Sequence, residues 1–166
     1  MRVKKESAAA ILRRTMSTTT SVSHTPVIAE LISLIGEKAL KRGTFTLASG
    51  RTASFYLDAK QVVLDARGSM LVGRAILEKL RGHGRLPDAV GGMSIGADPI
   101  TSAVVTMAGV EGLPLKGFLV RKEPKDHGAG RQIEGPPLDP GERCLMVEDV
   151  VTTGGSTIKE IGRAHV

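Results

Sequence analysis

Cys144-Leu-Met-Val-Glu-Asp-Val-Val-Thr-Thr-Gly-Gly-Ser156 is the stretch around which this chain is organised. It begins as an apolar run of strand type, meets two acids at Glu148 and Asp149, and passes through Thr152, Thr153, Gly154, Gly155 and Ser156 into a helix-like segment from Thr157. A carboxylate pair therefore stands beside a turn of small residues.

The two halves suit different parts of one ligand. Backbone N–H groups in a Gly/Ser/Thr turn that opens a helix are free to point at an anion, hydroxyls add donors, and the helix dipole favours negative charge. That half suits a phosphate. Acids at the carboxyl end of a strand are poor phosphate neighbours, but they accept hydrogen bonds from sugar hydroxyls and can help to hold a hydrated metal. That half suits a ribose. Neither the GxGxxG dinucleotide fingerprint nor the GxxxxGK[ST] loop is present, so the phosphate is not held in either of those ways. The alternative is a strand followed by a loop with surface acids, since exposed carboxylates are common.

Working outward, 166 residues make one domain of ordinary size. With no Trp and aromatics at only 2%, the core has to be aliphatic. The single cysteine, Cys144, provides neither a disulfide framework nor a cysteine metal site, and it fits a reducing, cytoplasmic setting. The formal charge of +6 suggests nucleic acid at first sight, but Arg2, Lys4, Lys5, Arg13 and Arg14 stand against Glu6 alone in the first 24 residues, which accounts for +4 of it. The remaining body is mildly basic and has no basic stripe interleaved with aromatics, so no nucleic-acid partner is expected. Nor does any apolar run approach the roughly 18 residues of a membrane span.

Residues 1–24, basic and then hydroxyl-rich over Ser17 to Ser21, bury little and are expected to be a disordered tail. The tail has some transit-peptide features, while Met16 offers a second start that would make the first fifteen residues an upstream extension. The domain is expected over 25–166. Thr25-Pro26 opens a core-facing helix carrying Val27, Ile28, Leu31, Leu34, Ile35 and Leu40, with Gly43 as its stop. A hairpin follows: Phe45 to Leu47, the Ser49-Gly50-Arg51 turn, then Ser54 to Ala59. A second helix starts at Asp65 or Arg67, with Met70, Leu71, Ile76, Leu77 and Leu80 apolar.

Asp88 to Met93 reads as a strand that runs through Ser94-Ile-Gly-Ala-Asp98 into a helix over 99–108. Strand, glycine-bearing turn and helix make a second anion cradle by the same backbone logic, or else a plain tight turn. Leu115 to Val120 is another strand. Arg121 to Pro140 follows with no apolar period, charged and rich in glycine and proline, either a solvated loop or a lid with Gly128 and Gly130 as hinges. Strands alternating with helices imply an α/β fold, a parallel sheet with helices on both faces, whose ligands bind at the carboxyl ends of the strands.

Cys144 to Ser156 resembles the ribose-phosphate signature of the type I phosphoribosyltransferases, which bind 5-phosphoribosyl 1-diphosphate (PRPP). FTLASGRTASFYLDAK at 45–60 and VRKEPKDHGAGRQIEG at 120–135 resemble the orotate phosphoribosyltransferase branch in particular. The resemblance runs from about Leu31 to about Ile161 and implies transfer of the phosphoribosyl group of PRPP to orotate, with Mg2+, in the making of UMP. It implies a small N-terminal hood over about 25–60, with Phe55 and Tyr56 near the base, and a core over about 61–166. Glu148 and Asp149 would hold the ribose hydroxyls. Val150, Val151, Thr152, Thr153, Gly154, Gly155 and Ser156 would wrap the 5'-phosphate, with Thr152 also reaching orotate. Arg121, Lys122, Lys125 and His127 would form the catalytic flap over the diphosphate, and a homodimer would share the sites. No protein side-chain cage is implied for the metal, which rides mainly on the diphosphate.

Four departures from the family pattern are visible. Ala48 stands where many members have Lys before the SGR turn, Gly96-Ala97 where some have Tyr-Lys, and Glu148 where the first of two aspartates is usual. Family members also continue into a further strand whose arginine meets the orotate carboxylate, whereas this sequence stops at Val166, so truncation with loss of the last strand is expected. The alternative function is a catalytically impaired PRPP-binding module or a regulatory relative.

Overall fold

The computed structural model describes residues 24–46, 50, 52–123, 132–151, 154, 155 and 158. The expected tail lies outside them except for His24, as do residues 124–131 of the charged loop.

Helix α1, Pro26–Lys38, opens where hydroxyl and proline place it: the Thr25 hydroxyl accepts the Ile28 N–H at 3.4 Å and donates to Glu78 Oε2 at 2.6 Å. Its expected end is corrected. The Ala39 N–H closes on the Ile35 carbonyl at 2.9 Å, and Leu40 already begins strand β1, Leu40–Thr46. That strand runs antiparallel to β2, Thr52–Leu57, with Leu40 opposite Leu57 and Lys41 opposite Tyr56. Gly43 falls at a register irregularity between Arg42 and Phe45 instead of stopping a helix. Pairing with a strand well ahead in the chain overrides the local period here. No residue of α1 is fully buried, and Val27, Ile28, Leu31, Leu34 and Ile35 are half-buried.

A four-residue helix α2, Lys60–Val63, leads into α3, Ala66–Gly82. Asp65 caps α3 by accepting the Gly68 N–H at 3.0 Å, and it also takes Lys38 Nζ at 2.5 Å, which ties α1 to α3. The lysine, and after it the Gly68 amide, holds this carboxyl below the usual carboxylate range. A carboxyl that is more acidic folded than unfolded adds stability above its unfolded pKa of about 3.9 and loses it as pH falls further. The Tm difference between wild type and Asp65→Ala should therefore hold from pH 6 down to about pH 4 and shrink below it, and calorimetry across that range checks it.

The main sheet holds β3, Ala89–Met93; β4, Lys116–Val120; β5, Ile133–Glu134; and β6, Cys144–Met146, in the order β5-β4-β3-β6. β3 is parallel to both β4 and β6, and β5 is antiparallel to β4. The helix after β3, α4, spans Asp98–Val110 and packs on β3, β4 and α3. This is the expected α/β architecture. Among the described residues the sheet gains one strand over the expectation, β5: the stretch after Arg121 returns to the sheet at Ile133, where the Arg121 N–H donates to the Gln132 carbonyl at 2.8 Å.

Successive strand residues face opposite ways. Val90 therefore joins Leu77, Ile100, Val104 and Met107 under the helices, with Leu145 and Val147 alongside. Ala89, Phe118 and Val120 lie on the other face with Ile133, Leu138 and Met146. The core is aliphatic as composition requires, except at Phe118, its largest fully buried side chain. Met70, one of the apolar residues of α3, is 38% exposed.

Candidate active site

Three turns leave the same edge of the sheet. The Ser94–Asp98 turn follows β3, Arg121 follows β4, and Glu148-Asp149 follows β6, and the two flanking strands run parallel to β3. The Ser94 N–H donates to the Val120 carbonyl at 3.0 Å and the Val147 N–H to the Gly91 carbonyl at 2.8 Å, which pins each turn to its neighbour. In open α/β sheets this carboxyl edge is where ligands bind.

The two acids converge on the turn after β3. A Cβ built at Gly96 would lie 2.6 Å from Glu148 Oε1 and still nearer Asp149 Oδ1. Only a residue without a side chain leaves both carboxylates that space. The Glu148 carboxylate also accepts the Asp149 N–H at 3.2 Å. The atoms in the way are the ends of side chains, which can swing, so the fold should tolerate a methyl there better than the site does. Gly96→Ala is expected to leave Tm within a few degrees while raising KM for a sugar-phosphate substrate at least about tenfold, because the acceptors are pushed off position. Melting curves beside steady-state kinetics test both halves.

Asp149 carries a partner the sequence did not reveal. Its Oδ2 accepts a hydrogen bond from Lys60 Nζ at the start of α2, an ion pair in which the carboxylate is 8% exposed and the lysine side chain 46%. The lysine holds the carboxyl below its usual range against the opposing effect of burial, and its own pKa is raised in turn. Lys60 thus links the β1–β2 hairpin side to the acidic strand end. Beside the pair lies an apolar cleft of about 510 Å³, lined among others by Leu57, Ala59, Val62, Val72 and Val147.

No family model matches the chain. A protein of Rhodopirellula baltica named orotate phosphoribosyltransferase is 52% identical over 138 residues, spanning 81% of this chain and 71% of its own length. The chain belongs to the orotate phosphoribosyltransferase family. Mycobacterium tuberculosis orotate phosphoribosyltransferase, crystallised with Fe(III) dicitrate, aligns with a TM-score of 0.69 at 38% identity, over 83% of this chain and 75% of that one. The same mycobacterial enzyme crystallised with PRPP aligns at 0.66 and 34% identity, over 85% of this chain and 76% of that one.

As an orotate phosphoribosyltransferase, the chain brings some of the expected residues together and leaves others outside the described set. Phe55 and Tyr56 sit on β2, 58% and 48% exposed, and the Tyr56 ring is tilted against Phe45 with centroids 5.8 Å apart. Adjacent strand aromatics ordinarily divide between core and solvent, yet here neither is buried. Arg121 is half-buried at the end of β4, where its Nη1 meets Glu134 Oε1 at 3.3 Å; Lys122 is exposed beside it. Val150 and Val151 are each 64% exposed. Gly154 takes φ +73°, a left-handed turn, and its carbonyl accepts the Ile158 N–H at 2.9 Å, one helical turn on, with Gly155 between. Lys125, His127, Thr152, Thr153 and Ser156 lie outside the described residues.

Among the described residues no group of three or more His, Cys, Asp or Glu side chains could hold a metal ion. No helix among them is long and apolar enough to cross a membrane.

Proposed function

We propose that the chain transfers the phosphoribosyl group of PRPP to orotate, giving orotidine 5'-monophosphate and diphosphate. The observation that carries this reading is the meeting of Glu148 and Asp149 over Gly96 at the carboxyl edge of the sheet, in a chain 52% identical to a named orotate phosphoribosyltransferase. The relatives favour it over an impaired or regulatory module.

In this reading the C1–O bond to diphosphate breaks through an oxocarbenium-like state, as in other glycosyl transfers, and orotate N1 forms the new bond to C1 while its proton passes to the departing diphosphate. No protein nucleophile is required. Glu148 and Asp149 accept the ribose 2'- and 3'-hydroxyls, and the turn from Val150 to Ser156 offers N–H groups and hydroxyls to the 5'-phosphate. Phe55 and Tyr56, in a hood over about 25–60, face the base, which Thr152 also reaches, while the core covers about 61–166. Arg121, Lys122, Lys125 and His127 answer the charge growing on the departing diphosphate, which counts for most once water is excluded. A Mg2+ ion would share that charge when bound, and with no side-chain cage among the described residues its ligands would come mainly from the PRPP diphosphate. A homodimer in which each flap serves the neighbouring site, in the cytoplasm, completes the proposal.

Following orotate consumption by absorbance, beside calorimetric titration of Mg-PRPP, tests it. Turnover with PRPP binding is the expected result. Binding without turnover would support the impaired module, and absence of both would overturn the assignment.

A further inference from the structure

Lys60 closes the hairpin motif and Asp149 belongs to the acidic one, and their ion pair, which neither motif implies, crosses from one structural unit to the other. Resting on the sugar-phosphate reading above, we propose that Lys60 is the positioning residue for the carboxylate that takes the ribose hydroxyls: it fixes Asp149 from the hairpin side, so that the base-facing and sugar-facing parts of the site keep one register.

Three observations carry this. First, Asp149 is 8% exposed, and a carboxylate so withdrawn from water has to be hydrogen-bonded and charge-matched. Lys60 does both. Secondly, the lysine uses only Oδ2, while Oδ1 lies on the Gly96 side. Holding one oxygen selects the rotamer that presents the other, which is how a second partner orients a binding group. Thirdly, Lys60 opens the helix that follows β2, with its own N–H donating to Asp58 Oδ1 at 3.2 Å, so its backbone is anchored where the hairpin ends. Asp58 and Tyr56 add their fields at Lys60, and Glu148 is the other charged side chain at Asp149. The half-exposed lysine gains little from the pair on its own account. The consequence falls on the geometry of the acid.

A double-mutant cycle on the full chain tests it, with Mg-PRPP affinity read by titration calorimetry. Lys60→Met is expected to weaken binding about tenfold or more, the usual loss when a charged hydrogen-bond partner is removed. KM for PRPP should rise more than kcat falls, and Lys60→Arg should recover most of the loss. In an Asp149→Asn background the same Lys60→Met change should have almost no further effect. Lys60→Gln, read in the same cycle, replaces the methionine variant if that unfolds. An equal loss in both backgrounds, or wild-type affinity in a folded neutral variant, would overturn the positioning role while leaving the phosphoribosyl reading intact. A wild-type chain that takes no PRPP would overturn both.

Discussion

Asp149→Asn should lower turnover of orotate by well over tenfold while the protein melts within a few degrees of wild type. The substitution keeps shape and volume but removes the charge, and hydrogen bonds to a charged group contribute about 1.5–3 kcal/mol each, about ten- to a hundredfold in rate when made to the reacting sugar. The asparagine would also turn its carbonyl towards Lys60, leaving the amide on the Gly96 side where an acceptor is needed. Because Lys60 keeps the native carboxyl more acidic than usual, the ionised acceptor persists on acidification and is lost only as pH passes down through that lowered value. Steady-state rates at saturating orotate measure the effect, and an unchanged kcat/KM for PRPP would remove Asp149 from the site.

The second large effect falls on the fold. Gly91 sits mid-way along β3, between Phe118 of β4 and Met146 of β6. A Cβ there would stand 2.6 Å from the Phe118 ring at Cγ and nearer still to the Phe118 carbonyl oxygen. Unlike the carboxylate tips at Gly96, a carbonyl in a strand pair cannot swing aside, so Gly91→Ala forces β3 and β4 apart or shifts the buried ring. Overpacking of this kind costs about 3 kcal/mol, or about 6–12 °C in Tm for a chain of this size. Differential scanning calorimetry reads it directly. A Tm equal to that of wild type would mean that Gly91 and Phe118 are not neighbours.

These two residues also show how unevenly the structure could be read ahead. The order of strands and helices, the Thr25-Pro26 cap and the acids at the end of β6 were legible because each rests on local chemistry: a cap, a period, a change from apolar to acidic. The end of α1 was not, since Leu40 belongs to a strand only by virtue of Leu57. β5 escaped because two residues in a glycine- and proline-rich stretch show no period, and their partner strand alone makes them a strand. Helix α2 is too short for periodicity, although Asp58 two residues before Lys60 is the kind of side chain that starts such a turn. Lys60 itself closes the stretch FTLASGRTASFYLDAK, but its partner is 89 residues away. A contact of that span is set by the assembled sheet, and no spacing rule reaches it.

The tilted Phe45–Tyr56 pair on the hairpin gives this chain a reporter of its own. Tyr56 is the single tyrosine and there is no tryptophan, so emission excited in the tyrosine band, beyond phenylalanine absorption, arises at one ring, 5.8 Å from Phe45 and about half exposed. Quenching or brightening on addition of a pyrimidine can thus be traced to that spot without labelling, and rapid mixing would give its kinetics.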